Sequence, residues 1–279
     1  MGDMEKERLM IVALMGGVGN QLFQYAFGIS VAAARNEEVA FTDFRTRGDH
    51  WRPCASGGLS PLVTDIKIVA PEEERQPFFM DNVHFNFQPE VYTAPAGRTF
   101  LGYWQTEKYL NRELVLQKIQ FRQPLSSQSQ RVADTIMQAG KSSVFLHVRR
   151  GADYKRSDHH GLLAMNYFNE AIRRVRANVE GAKFFVFGDD HDFMRQNFSG
   201  PEFVLVNHIQ PDTPLLHEDM QLMSLCKHGA MANSSFSWWA AWMGDQSDRM
   251  IFAPKRWFGS QTQAETCDIV PESCTKIYL

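Results

Sequence analysis

Cysteine is scarce in this chain. Four are scattered through 279 residues, at Cys54, Cys226, Cys267 and Cys274. None forms a C-x-x-C pair, so neither a zinc site nor a disulfide framework is indicated, and a reducing compartment is the simpler expectation. An excess of either charge is also missing. The formal net charge is −3 and no Lys/Arg-rich run occurs, so no nucleic-acid partner is expected. Long apolar runs are absent too. The run from Leu9 to Met15 falls far short of the ~20 residues that a helix needs to span a bilayer. It follows a mixed-charge start, Met1-Gly-Asp-Met-Glu-Lys-Glu-Arg8, and leads into glycines rather than a small-residue cleavage site. Lys6 stands where a myristoylation signal needs Ser or Thr. A cytoplasmic chain without a transmembrane segment is expected. There is no repeat, no low-complexity tract and no Walker loop. The glycine turn Gly16-Gly-Val-Gly19 lacks the full G-x-G-x-x-G spacing, which makes an oxidoreductase with a nicotinamide cofactor a poor fit.

What the chain does have is an alternation of short apolar runs with amphipathic stretches. Met10–Met15 reads as a buried strand, Gly16–Gln21 as a turn, Leu22–Arg35 as a helix with apolar residues at helical spacing, and Val39–Asp43 as a second strand. Strand, glycine turn, helix and strand make a βαβ unit. Pro53, Gly57-Gly58, Pro61 and Pro71-Glu-Glu-Glu74 break up the next stretch, where loops and short elements are expected. Phe100–Trp104 reads as a strand end, Gln105–Leu116 as a helix, and Ser126–Ala139 as a helix with a serine cap. The alternation then restarts. Strands are expected at Val144–Val148, Lys183–Phe187, Phe203–Val206, Gly229–Ala232 and Met250–Ala253, the last stopped by Pro254. Helices are expected at Met165–Asn178, near Asp192, at Leu216–Cys226 and after Asn233. The expectation is therefore an α/β protein of two halves, 1–139 and 140–279.

The centre of the second half is Val144-Phe-Leu-His147-Val-Arg149-Arg150-Gly151. Two arginines arrive at the carboxyl end of a buried strand, where open α/β sheets hold their ligands. Unpaired charge is costly to bury, so the guanidiniums need an anionic partner, and a diphosphate can occupy both. Two more strand ends carry polar groups: Asp189-Asp190 and Asn233-Ser234-Ser235. The serines open a helix, whose N-terminus favours anions. Arginine fork, helix N-terminus and carboxylate together suit a nucleotide: phosphates on the arginines and the helix, ribose or a guanine edge on the aspartate. Helix capping alone also explains the serines, and it also explains Asn20 and Gln21 after the glycine turn. Trp238, Trp239 and Trp242 fall at core spacing on their helix rather than forming a sugar-stacking platform.

Gly16-Gly-Val-Gly-Asn-Gln-Leu-Phe-Gln-Tyr-Ala-Phe-Gly28 resembles the opening motif of the α-1,2-fucosyltransferases of glycosyltransferase family 11. His147-Val-Arg-Arg-Gly resembles the H-x-R-R-x-D motif shared by α-1,2-, α-1,6- and protein O-fucosyltransferases. Phe185-Val-Phe-Gly-Asp-Asp190, Met223–His228, Asn233–Trp242 and Ala253–Phe258 follow in the same family's order. The resemblance implies a GT-B fold: two facing Rossmann-like domains with a cleft between them, GDP-L-fucose on the second and a galactoside acceptor facing the first. It implies Arg149 on the donor's β-phosphate and His147 with Asp189/Asp190 on the nucleoside side. Ser234, Ser235 and Phe236 match the phosphate loop, with Arg150 and Asn233 beside these groups, and Asn20 lies near the reacting atoms. One departure stands out: Gly151-Ala152-Asp153-Tyr154 replaces Gly-Asp-Tyr, displacing the aspartate by one position. In another, Cys274 stands where relatives often carry tryptophan.

The reading these motifs support is inverting transfer of fucose from GDP-β-L-fucose to the 2-hydroxyl of a terminal galactose, without a cofactor. Independence of metal is expected because no D-x-D pair is read after a strand in the manner of metal-dependent transferases and Asp189 and Asp190 are adjacent, so their side chains diverge, while arginine and a helix N-terminus can serve as the leaving-group clamp. Asp153 and Asp43 are candidates to take the acceptor proton, and Asn20 to orient its hydroxyl. The alternatives are a GDP-fucose transferase of another linkage and a non-catalytic nucleotide-sugar-binding protein. The acceptor is expected to be a soluble oligosaccharide or a lipid-linked glycan, the latter reached peripherally at the inner membrane face. Neither its identity nor an oligomeric state is written in the motifs.

Overall fold

A computed structural model of the chain describes residues 8–43, 59–63, 65–82, 85–156, 161–209, 213, 215–259 and 268–278. It forms two compact units: Met1–Arg122 with Ala264–Pro271, and Gln123–Gln263 with Glu272–Leu279.

In the first unit, β1 (Leu9–Leu14) is buried along its whole length, as an apolar run inside a parallel sheet should be. Helix α1 (Val18–Arg35) returns the chain to β2 (Glu38–Asp43). The helix starts four residues before the expected Leu22, because Gly17 serves as N-cap and its carbonyl accepts from Gln21 N at 3.0 Å. Strands β3 (Ile68–Val69), β4 (Phe79–Met80) and β5 (Thr99–Leu101) complete a sheet of order β3-β2-β1-β5-β4, with every pairing parallel. The helix expected over 105–116 is instead a 3-10 turn, Glu107–Tyr109, followed by α2 (Arg112–Lys118). Asn111 breaks it: its side chain accepts from Leu114 N and caps α2, the position asparagine favours over a helix interior.

In the second unit, α3 (Ser127–Ala139) leads to β6 (Ser143–Val148). There follow the one-turn α4 (Ala152–Lys155), α5 (Met165–Asn178), β7 (Lys183–Gly188), α6 (His191–Asn197), β8 (Phe203–Val206), α7 (Leu216–Leu225), β9 (His228–Ala230), α8 (Ser235–Met243), β10 (Ile251–Pro254) and β11 (Thr275–Ile277). The sheet order is β11-β10-β9-β6-β7-β8, again parallel throughout. Strand β11 was not expected, since a three-residue run shows no readable period.

The division also falls earlier than expected, after Arg122 rather than after residue 139. Helix α3 belongs with the second sheet because its polar start is anchored there. Glu218 on α7 accepts from Ser126 N at 2.9 Å and from Ser126 Oγ at 2.8 Å, and Ala133 and Ile136 are buried.

Side chains on β6 alternate between two faces. Val144, Leu146 and Val148 pack with Tyr167, Phe168, Ile172 and Val175 of α5 and Met194 of α6. That leaves His147 on the opposite face, with its ring 5.9 Å from that of Phe236 in the first turn of α8.

Candidate functional site

Strand order locates a crevice in each sheet. In the second unit the chain runs from β6 to β7 and β8 on one side, then returns to β9 and β10 on the other. The turns after β6 and β9 therefore diverge to opposite faces, and ligands of open α/β sheets sit at such a switch point. The residues flanking it are Arg149-Arg150-Gly151 and Asn233-Ser234-Ser235.

The two arginines do not share one partner. Arg149 bonds the Asp189 carboxylate through Nη1 and the Asp153 carboxylate through Nη2, and its guanidinium lies 4.5 Å over the Tyr154 ring. Ala152 opens α4, so a helical turn absorbs the displaced aspartate and returns Asp153 to Arg149 at i+4. Arg150 turns elsewhere. Its Nη1 donates to Leu163 O at 2.6 Å, its guanidinium stacks 4.2 Å over Phe193, and Asp190 lies 3.9 Å from its Nε. The two neighbouring guanidiniums are thus aimed by different groups of their own domain.

The paired aspartates also separate. Asp189 accepts Arg149 and, at 2.7 Å, the backbone N–H of Arg150. Asp190 caps α6, accepting from Phe193 N at 3.1 Å, and pairs with Lys155 at 2.7 Å. Those donors hold its carboxyl below the usual range although partial burial pushes the other way. Gly188 sets this spacing. Its φ is +158°, and a Cβ there would stand 2.2 Å from Val148 O, so the ends of β6 and β7 meet only because no side chain intervenes. An open hollow of about 280 Å³ adjoins the turn, lined among others by Arg150, Lys155, Asp190, His191 and Arg195.

His147 is buried, and among the described residues its Nδ1 has no hydrogen-bond partner. Burial and the neighbouring Arg149 charge push it down to about 3, so the ring is neutral near pH 7 and can present a lone pair or an N–H, but not a charge. Asn233 donates through Nδ2 to Gly161 O at 2.8 Å and Trp257 O at 3.0 Å, and its buried Oδ1 has no hydrogen-bond partner among the described residues. Ser234 is the N-cap of α8, its Oγ accepting from Phe236 N at 3.3 Å. Ser235 and Phe236 form the helix's first turn. Trp238, Trp239 and Trp242 are buried at 6 % exposure or less, as their spacing predicts.

The first turn of α7 escaped the sequence reading. It follows β8, so it starts on the same rim, and it buries His217, Glu218 and Asp219. Burial, with Glu218 adding to it, pushes Asp219 well above the usual carboxylate range, and its Oδ1 has no hydrogen-bond partner among the described residues. Three consecutive polar residues at the head of an apolar helix were the available signal.

The expectation that no D-x-D pair follows a strand is corrected: Asp190-His191-Asp192 has that spacing directly after β7. Here Asp190 is committed to its cap and Lys155, while Asp192 is exposed and pairs with Arg195.

In the first unit the switch point lies between β1 and β5. Gly16, with φ +76°, turns the chain out of β1. Gln24 accepts from Met15 N at 2.9 Å and donates to Gly102 O at 3.1 Å, which binds the two diverging turns together. Gln21 is not a rim ligand: it is buried and donates to Gly16 O at 2.8 Å. Asn20 lies in the first turn of α1 and accepts from Gln105 Nε2 at 2.7 Å. Asp43 closes β2 in register with Leu14, beside the glycine turn; its side chain lies outside the described residues.

Among the described residues, no helix is long and apolar enough to cross a membrane.

An Escherichia coli α-1,2-colitosyltransferase is 29 % identical over 96 % of this chain and 99 % of its own. Galactoside α-(1,2)-fucosyltransferase 1 of Lagothrix lagotricha is 26 % identical over 82 % of this chain and 63 % of its own. Among solved structures, the fucosyltransferase NodZ from Bradyrhizobium superposes with a TM-score of 0.51 at 16 % identity, covering 85 % of this chain and 94 % of that one. That likeness speaks to fold alone, and it agrees with the GT-B type expected from the motifs. The model of Glycosyl transferase family 11 matches residues 4–272, nearly the whole chain, and the protein is therefore a glycosyltransferase of that family.

Proposed function

We propose that the protein transfers L-fucose from GDP-β-L-fucose to the 2-hydroxyl of a terminal galactose, with inversion and without a metal ion. The observation that carries this is the crevice at β6/β9. There a guanidinium with 18 % of its side chain exposed, a neutral buried imidazole and the capped start of α8 converge at a switch point. In the step itself the galactose oxygen bonds to fucose C1 as the bond from C1 to the β-phosphate oxygen breaks. The acceptor hydroxyl gives up its proton, and negative charge gathers on GDP. Arg149 answers that charge, with the first turn of α8 beside it. Its fork keeps donors beyond the two that meet Asp189 and Asp153. Those carboxylates aim it and temper its field. His147 and Asn233 supply the polar edges for the nucleoside, and Asp219 joins them as a protonated carboxyl able to donate.

Asp153 is held by Arg149 through its Oδ2. Asp43 remains the other candidate, and a loose transition state needs little help because the proton leaves late. Asn20 holds the acceptor. Asn20→Ala should slow transfer far more than it weakens GDP binding; loss of GDP binding with an intact fold would assign the glycine turn to the donor instead.

A second donor has specific support. The relative identical at 29 % is named for colitose, which is L-fucose lacking the 3-hydroxyl. The deciding experiment is a panel of galactose-terminated oligosaccharides and lipid-linked glycans with GDP-fucose and GDP-colitose, product linkage assigned by NMR. An α-1,2 fucosyl product supports the reading, and a marked preference for GDP-colitose replaces the donor. A different linkage replaces the acceptor position. No transfer from either donor, with GDP bound, leaves a nucleotide-sugar-binding protein.

A further inference from the structure

Gln105 is 85 residues from Asn20 in sequence, yet its side chain decides how Asn20 is presented. It is 5 % exposed and donates from Nε2 to Asn20 Oδ1 at 2.7 Å. An amide whose oxygen is taken up in this way turns its NH₂ the other way. On that side stands Gly16. A Cβ built there would lie 2.6 Å from Asn20 Nδ2, so the glycine leaves open the space that the NH₂ occupies.

The placement of Gln105 is itself enforced. The preceding Trp104 sits in the left-handed region at φ +54°, an unfavourable conformation for a bulky residue that persists only where the surroundings over-determine it. They do so here. The indole is 1 % exposed, stacks on Phe27 at 4.3 Å and 8°, and meets Tyr109 edge-on. Its Nε1 has no hydrogen-bond partner among the described residues, and aromatic packing holds the ring. Thr106 N donates back to Trp104 O at 2.9 Å, closing the turn that aims Gln105 at α1. A strained residue at the end of β5, on the switch point of its sheet, serves to aim the next side chain.

We propose that Gln105 is a positioning residue that makes Asn20 meet the acceptor as a hydrogen-bond donor. This rests on the reading that Asn20 holds the acceptor. Asn20 Nδ2 then donates to a lone pair of the acceptor oxygen, and the hydroxyl proton points away from Asn20, toward whatever takes it. Gln105→Glu replaces the donating NH₂ with a carboxylate, which repels Asn20 Oδ1 and attracts Nδ2. The amide turns over and presents its carbonyl. Gln105→Met keeps the volume and leaves the amide unguided.

The experiment combines a double-mutant cycle with NMR. The expected result is that Gln105→Glu lowers kcat/KM for the acceptor at least tenfold and Gln105→Met by less, with the GDP dissociation constant unchanged for both. In the Asn20→Ala background, both changes at position 105 should have no further effect, because a residue that acts only through Asn20 has nothing left to act on. The side-chain amide resonances of Asn20, identified by their loss in Asn20→Ala, should shift in both Gln105 variants. Additive losses in the cycle overturn the proposal. So do Asn20 resonances that stay in place, and this readout holds even if the wild-type protein transfers neither sugar, a result that would count against the donor and acceptor assignment alone.

Discussion

The hydroxyl of Tyr154 donates to the backbone carbonyl of Asn233 at 2.8 Å, tying the turn after β6 to the turn after β9. The same ring lies beneath the Arg149 guanidinium. One side chain thus fixes the spacing between the arginine and the start of α8, the two positive ends facing the crevice. Tyr154→Phe keeps the ring and removes the tie. Removing the donor to this buried carbonyl costs ~1–3 kcal/mol, so urea unfolding should show a loss of that order, with weaker GDP binding measured by calorimetry. Unchanged affinity would mean the two turns hold their spacing without it.

Arg149→Lys keeps the positive charge but loses the planar fork that reaches Asp189 and Asp153 together. Removing one donor aimed at developing charge typically costs ~10²–10³ in kcat. Turnover should fall about a hundredfold or more. A lysine variant with near-normal kcat would remove Arg149 from the leaving-group clamp.

Two buried groups give stability opposite slopes with pH. Asp219 is raised in the folded state, so the folded protein holds a proton that the unfolded chain, near ~3.9, has released. Its contribution is full below that value and is lost as pH rises toward the folded pKa. His147 is lowered to about 3 against about 6.5 unfolded, and its contribution is present above ~6.5 and lost as pH falls from there toward 3. Asp219→Asn removes the first slope alone. Urea midpoints from pH 4 to 8 should show the variant gaining on the wild type as pH rises. A constant difference would place the Asp219 carboxyl in an ordinary environment.

Transfer should survive EDTA. The D-x-D carboxylates of Asp190 and Asp192 are committed to different partners, and Arg149 with the α8 terminus supplies the positive field that a divalent cation would otherwise supply. Abolished transfer that returns with Mg²⁺ or Mn²⁺ would place a cation in the clamp.

What the sequence by itself determined is local. The apolar period of Met165–Asn178 and the β-branched and aromatic run of Phe203–Val206 define these two elements to the residue, because periodicity and end signals act within a few positions. The glycine turn after β1, the arginines after β6 and the serine cap of α8 were legible for the same reason, and so was the restart of the alternation that makes two sheets. Tertiary structure decided which polar groups meet. Arg149 and Arg150 are neighbours of like chemistry, yet one faces Asp189, 40 residues away, and the other a carbonyl and a phenylalanine. Asp190 became a helix cap, Asp219 a buried acid, and Gln105 the partner of Asn20. None of these pairings has a period or a spacing. Each follows from strand order, which sets turns distant in sequence side by side, and from the cost of burying a polar group without a partner, which then selects the pairs that form.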